Sequence, residues 1–167
     1  MAYIYEYLNY YYKDIMNKKD LIFIDLGSGT GKAVISMSLM HYFKKIIGIE
    51  YLENIFNLSQ EYKNNYINII KEKQDLYNNI NNIEFIKGDF LKYNWENADI
   101  IFANSTCFSS DVINNIALKA NKECKSGTII ITFTKNLNKL NSDWELRDGF
   151  RRLMTWGVAT IYIHKKK

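Results

Sequence analysis

The sequence predicts an α/β fold: a mostly parallel, seven-stranded sheet with helices on both faces and an antiparallel hairpin at its end. Three observations carry that expectation. Short, continuously apolar runs recur along the chain, amphipathic stretches of helical period separate them, and a glycine-rich loop joins the first run to the helix after it. Uninterrupted apolar runs of this length mark strands buried on both faces. Their alternation with helices argues for parallel pairing.

Taken in order, Tyr5, Leu8, Tyr12 and Ile15 repeat at three- and four-residue spacing, so residues 3–17 are expected to form one amphipathic helix. LIFIDL, Leu21 to Leu26, is the first buried strand, and KAVISMSLMHYF after the glycines has helical periodicity. KIIGIE is the second strand. A long helix from Leu52 to about Lys73 follows, with Ile55, Leu58, Tyr62, Tyr66 and Ile70 on one face. IEFIKG and DIIFAN are the third and fourth strands, and a helix from about Asp111 to Lys122 leads to a fifth, TIIITFT. A short strand near Trp144 to Leu146 and a final one, WGVATIYIH, complete the set, with GFRRLMT joining them as a hairpin connection. No repeat, linker or boundary interrupts this order, so residues 1–167 are expected to form a single domain.

Composition agrees with a packed globule. Hydrophobic residues make up 47% and aromatic residues 15% of the 167, enough for a sizeable core and too much for a disordered segment. The formal net charge of +4 is mild, compatible with an acidic partner without demanding one. Two cysteines, Cys107 and Cys124, and two histidines, His41 and His164, are too few and too scattered for a zinc cage, so no metal is expected. The absence of a signal-like start points to reduced thiols and an intracellular protein, and no apolar stretch is long enough to span a bilayer. The Asn- and Lys-rich stretch from Tyr62 to Glu84 reads as a compositional bias on solvated faces.

The chemistry is concentrated at strand ends. DLGSGTG, Asp25 to Gly31, lies between a strand and a helix, the context in which a glycine loop cradles a ligand. Glycines at 27, 29 and 31 permit a tight turn and close backbone approach, and the helix start offers free N–H groups. A dinucleotide fingerprint needs Gly or Ala where Lys32 stands; a Walker loop needs Gly where Leu26 stands and Ser or Thr where Ala33 stands. Both fail, and the D-x-G-x-G-x-G pattern is similar to the first motif of class I S-adenosylmethionine-dependent methyltransferases. Glu50, 19 residues beyond Gly31, ends the second strand, where a carboxylate can accept hydrogen bonds from ribose hydroxyls. Asp89 and Phe90 follow the third strand; an Asp there can accept from an adenine amino group while the Phe packs on the ring.

Asn104 closes the fourth strand in FANSTCF, at a strand C-terminus, which in such folds faces the ligand crevice. Enzymes that methylate base exocyclic amines or glutamine carry an Asn/Asp-Pro-Pro-aromatic loop here, and a chain with no proline has none. Cys107 has no nearby His partner and reads as a small packed residue. Methyl transfer chiefly needs positioning of donor and acceptor, and a water-poor channel helps an ammonium shed its proton. Phe108, Trp156 and Tyr162 are candidates for the walls of that channel, against the alternative that each is an ordinary core aromatic.

These blocks together resemble one family, the histone lysine methyltransferases that lack a SET domain, named for disruptor of telomeric silencing. FIDLGSGTGKAV is similar to that family's FVDLGSGVGQVV, GIE to its GVE, KGDFL to its RGDFL, and FANSTCFSSDV to its FVNNFAFGPEV. MTWGVATIYIH is a weaker match to its VSW-containing terminal strand. The resemblance implies a Rossmann-like class I methyltransferase with S-adenosylmethionine as cofactor, held by Asp25, Gly27, Ser28, Gly29, Gly31, Glu50, Asp89, Phe90 and Asn104. It implies Asn104, Phe108 and Trp156 as the residues facing the acceptor, a protein lysine. A histone or nucleosome is then the candidate partner, a chromatin-regulating role follows, and the location is nuclear or cytoplasmic. Nucleic acid is compatible but not required, and no membrane is involved.

The departures are specific. The family's YGE loop finds only YEY at Tyr5 to Tyr7, Ser105 and Thr106 replace the Asn and Phe after Asn104, the terminal hairpin is shorter, and the basic nucleosome-gripping segment is reduced to Lys165 to Lys167. They keep two alternatives in view: methylation of a small molecule or RNA, and a cofactor-binding module without catalysis.

Overall fold

A computed structural model describes residues 1–71, 80–154 and 157–167. The chain divides into two compact units, Met1–Phe90 and Leu91–Lys167.

The first unit is built on three parallel strands in the order β3-β2-β1, where β1 is Ile22–Leu26, β2 is Lys45–Glu50 and β3 is Ile83–Lys87. From Phe23 onward β1 is buried at every position, and so is β2 from Ile46 onward, so both faces of these strands are covered. This is the physical reason for their unbroken apolar sequences. Helices α1 (Ala2–Tyr11), α2 (Lys13–Met16), α3 (Lys32–Met40) and α4 (Glu53–Ile70) accompany them.

The single N-terminal helix expected from the tyrosine spacing is two. Tyr12 lies between them at φ −132° and ψ 42°, outside the helical region, while its buried ring and the buried side chains of Ile15 and Met16 keep the apolar stripe continuous. The stripe is a packing signal, and packing tolerates a break in the backbone that periodicity does not register.

The inward face of α4 also differs from expectation. Ile70 is buried as expected, but Leu58 and Tyr62 are exposed and Ser59 is buried. Lys63 turns in, its Nζ donating to the Ile83 carbonyl at 2.5 Å, and Ser59 donates to the Phe56 carbonyl at 2.6 Å. A short hydroxyl satisfied within its own helix and a long amphipathic stem both suit such a face. Hydrophobic counting does not see them. The predicted extension of this helix to Lys73 lies outside the described residues, as does much of the Asn- and Lys-rich stretch.

Among the described residues the second unit has four strands. β4 (Ile100–Ala103) pairs parallel with β5 (Ile129–Phe133), β5 pairs antiparallel with β7 (Gly157–Lys166), and β7 pairs antiparallel with β6 (Trp144–Met154). Helix α5 (Ser110–Glu123) begins at an N-cap, with the Ser109 hydroxyl accepting from Val112 N at 3.3 Å, and buries Ile113, Ile116, Ala117 and Ala120 along one stripe. The wholly buried Trp95 carries the Lys119 ammonium 5.1 Å above its ring, and its backbone N–H donates to Glu123.

The terminal hairpin is longer than the sequence suggested. Residues 149–154, read as a connection, are strand: β6 runs unbroken to Met154, with a register shift between Leu146 and Asp148. Beyond Trp144, no residue of β6 is buried. An exposed strand has no apolar alternation to announce it.

Candidate active site

In the first unit the backbone builds a cradle. Gly27, Gly29 and Gly31 adopt φ of 72°, 56° and 80°, left-handed values that side chains avoid. Gly27 N and Ser28 N both donate to the Ile49 carbonyl, at 2.9 and 3.0 Å, which ties the loop to the end of β2. Gly31 caps α3, leaving that helix's first N–H groups at the loop. A Cβ on Gly29 would meet nothing within 4 Å, so the loop's outer side is open for a ligand to approach the backbone.

Glu50 closes the cradle. Its two carboxylate oxygens accept from Gly29 N and Leu52 N, both at 2.9 Å, so it is fixed in place with lone pairs to spare for hydroxyl donors. The turn carrying Asp89 and Phe90 is tied to the same strand end through Gly88 N donating to the Glu50 carbonyl at 2.9 Å, and both side chains are half-buried. The structure therefore brings Asp25, Gly27, Ser28, Gly29, Gly31, Glu50, Asp89 and Phe90 to the C-terminal ends of three adjacent parallel strands.

The electrostatics specify what the cradle wants. Asp25 is 2% exposed and Ser28 8%, and neither Asp25 Oδ1 nor Ser28 Oγ has a hydrogen-bond partner. Burial, reinforced by the negative charge of Glu50, pushes the Asp25 carboxyl up to about 8. Orphaned buried polar atoms are costly, and a pair of carboxylates in one pocket calls for a cation. S-adenosylmethionine fits: it carries an ammonium and a sulfonium beside two ribose hydroxyls.

Phe85 is the contributor that sequence reading overlooked. It pairs with Gly48 across β2 and β3, and its ring fills the space where a Cβ on Gly48 would sit at 2.7 Å and one on Gly31 at 2.2 Å. The available signal was a glycine in the middle of an otherwise bulky buried strand, which marks a close approach.

The second unit holds Asn104 and Phe108 in one loop after β4. Asn104 is exposed and precedes a single 3-10 turn, Ser105–Cys107; Phe108 is half-buried. The three residues at the end of β5 strap this loop down. Ser105 Oγ donates to the Phe133 carbonyl at 2.6 Å, Thr106 Oγ1 lies 3.0 Å from Thr134 Oγ1, and Lys135 Nζ donates to the Phe108 carbonyl. Thr106 Oγ1 also donates to Asn104 Oδ1 at 3.2 Å. Thr134 has φ 68°, the one positive value at a non-glycine among the described residues.

Cys107, expected to be a small packed residue, is exposed and reduced. Of the three residues in this turn, Ser105 is wholly buried and Thr106 half-buried, which leaves Cys107 on the outside. Cys124 is a buried free cysteine. Trp156 lies outside the described residues. Tyr162 sits on β7 opposite Thr132 and is half-buried. Among the described residues no cluster of His, Cys, Asp and Glu is arranged to hold a metal, and no helix is long and apolar enough to cross a membrane.

Comparison with known proteins decides the lineage. The family described as "Histone methylation protein DOT1" matches residues 3–155. The chain belongs to this family. A curated relative in Caenorhabditis elegans, named "Histone-lysine N-methyltransferase, H3 lysine-79 specific", is 31% identical over 121 residues. That match covers 70% of this chain and 12% of the worm protein, so the chain spans a small part of its relative's length. Solved structures establish the fold as that of class I methyltransferases. An RNA methyltransferase from Salinibacter ruber in complex with S-adenosyl-L-homocysteine superposes with a TM-score of 0.64 at 16% identity, over 98% of this chain and 90% of that one. TrmN from Thermus thermophilus gives 0.69 at 14% identity, over 97% and 48%.

Proposed function

We propose that this DOT1-family chain is an S-adenosylmethionine-dependent protein lysine N-methyltransferase, acting as one domain across residues 1–167 on a histone or nucleosomal substrate in the nucleus. The observation that carries the cofactor assignment is the acidic, incompletely bonded cradle of Asp25, Ser28 and Glu50 beside the open face of Gly29. Family membership and the worm relative's name support the lysine acceptor.

In this reading Asp25, with Ser28 beside it, takes the amino-acid end of the cofactor, because an ammonium there supplies the charge the pocket lacks. Gly27, Gly29 and Gly31 let the backbone meet the cofactor without a side chain between. Glu50 accepts from the ribose hydroxyls, Asp89 from the adenine amino group, and Phe90 packs on the adenine face. The bound cofactor supplies a methyl group activated by positive sulfur. Asn104 completes the cofactor contacts and, with Phe108 and Trp156, orients the acceptor amine and keeps water away from it. Exclusion of water lowers the amine's pKa and so yields the neutral nucleophile.

The test is transfer of labelled methyl from S-adenosylmethionine to histone octamers and nucleosomes, with Glu50→Ala as control. Label on histone lysine, abolished by Glu50→Ala, is the expected result; label confined to RNA or small molecules overturns the lysine assignment. Cofactor binding without turnover on any acceptor would assign a non-catalytic module instead.

A further inference from the structure

The hydroxyl chain behind Asn104 has a direction. Thr106 carries one hydroxyl proton and donates it to Asn104 Oδ1 at 3.2 Å. The contact between Thr106 Oγ1 and Thr134 Oγ1 at 3.0 Å must then be made with the Thr134 proton. Thr134 donates to Thr106, and Thr106 donates to Asn104. Two consequences follow. The Asn104 amide is set with its oxygen turned to Thr106. The Thr134 hydroxyl, its only proton committed, can act toward any further group solely as an acceptor.

The backbone is built to hold it there. Thr134 is exposed at the C-terminal end of β5, in a left-handed conformation that β-branched residues avoid. Its N–H donates to the Thr160 carbonyl at 2.6 Å, which fixes that conformation from β7. Strain of this kind persists only where surrounding bonds over-determine it, and it gathers at functional positions.

We propose that Thr134 is an acceptor-binding residue whose hydroxyl oxygen takes a hydrogen bond from an N–H of the amine being methylated, with Thr106 as its positioning residue. The proposal rests on the lysine reading above. In the transfer the nitrogen lone pair attacks the methyl carbon. An N–C bond forms, the C–S bond breaks, and its electron pair stays on sulfur, which becomes a neutral thioether. The alkylammonium product releases a proton to water before a further transfer. A neutral primary amine has N–H groups to give, a monomethylated amine has one left, and a dimethylated amine has none. Thr134 therefore assists the first two transfers and offers nothing to the third, so the enzyme favours mono- and dimethyl-lysine over trimethyl-lysine.

The experiment compares wild type, Thr134→Ala, Thr134→Ser and Thr106→Val on histone octamers carrying unmodified, monomethylated or dimethylated lysine. S-adenosylmethionine binding is followed by calorimetry to show that each variant retains its cofactor site. Thr134→Ala is expected to raise KM for the first two substrates about tenfold and leave the dimethylated one unchanged. Thr134→Ser should restore the wild-type pattern, and Thr106→Val, which frees the Thr134 proton, should fall between. An active wild type matched by Thr134→Ala on all three substrates overturns this proposal alone. A wild type that methylates no histone lysine overturns the lysine reading and this proposal with it.

Discussion

The glycine cradle after β1 and the loop after β4 are both strand-end sites, yet they are made of different material. The cradle is main chain: left-handed glycines, amides bonded to the Ile49 carbonyl, and a carboxylate held by two backbone N–H groups. The β4 loop is held mainly by side chains, through Ser105, the Thr106–Thr134 pair and Lys135. A main-chain site can change only if the fold changes with it. A side-chain site can be rewritten by single substitutions while the fold stands. On the proposed assignment the cofactor end is therefore fixed and the acceptor end adjustable, in keeping with a chain that retains the first motif it shares with its family while departing from it at Ser105 and Thr106.

The sharpest way to break that contrast is Gly31→Ala. The new methyl group would lie 2.2 Å from Phe85 Cζ at a φ of 80°, so both the ring and the loop would have to move. A loss of about 3 kcal/mol or more is expected on chemical denaturation, together with loss of cofactor binding. Unchanged stability would show that the cradle is less rigid than its geometry implies.

Asp25 gives the next largest effect. Its folded-state carboxyl is raised from 3.8 to about 8 by burial and by Glu50. The cofactor-free protein should therefore lose stability as pH rises from about 4 to 8, by a few kcal/mol in all. Asp25→Asn should remove that slope. Because a bound ammonium favours the ionised carboxylate, wild-type affinity for S-adenosylmethionine should tighten between pH 6 and 8, measured by calorimetry. Asp25→Asn should bind more weakly with a flat profile. A flat wild-type profile would argue that the ammonium lies elsewhere.

His164 in β7 supplies the opposite slope. Burial lowers it from 6.5 to about 4, and its Nδ1 lacks a partner. The neutral form is favoured in the folded state, so stability is complete above 6.5 and falls as pH drops toward 4, by about 3 kcal/mol. His164→Leu should flatten this acid limb in urea titrations without touching cofactor affinity. An acid limb that persists in the variant would place its cause in another group.

How much of this was legible in sequence follows from the same division of materials. Backbone sites leave glycines and terminal carboxylates in the string of letters, so Asp25 to Gly31 and Glu50 could be read directly. The strands were equally readable, because burial on both faces writes itself as an unbroken apolar run. Phe85 was not, since it looks like any core aromatic until its partner across the sheet is known to be Gly48. Nor was Thr134: a β-branched residue announces extended backbone, and only tertiary bonds to Thr106 and Thr160 turn it left-handed. The long β6 was missed because exposure erases the alternation that identifies a strand, and Lys63 because a long stem can pack where its charge suggests it should not.

The same exposed β6 bears on how the molecule behaves in company. Gly157 and Val158 of β7, both exposed, pair with β6 but not with β5, so this stretch is a two-stranded ribbon. A ribbon of this kind invites identical chains to add on, strand by strand. Here Arg147, Asp148, Arg151 and Arg152 line β6, and the register shift between Leu146 and Asp148 bends its hydrogen-bonding edge out of line. Charge and a local bend are the devices by which natural sheets refuse such growth. Leu153 and Val158 can thus stand exposed on this ribbon beside an edge that offers no straight, uncharged template for another strand.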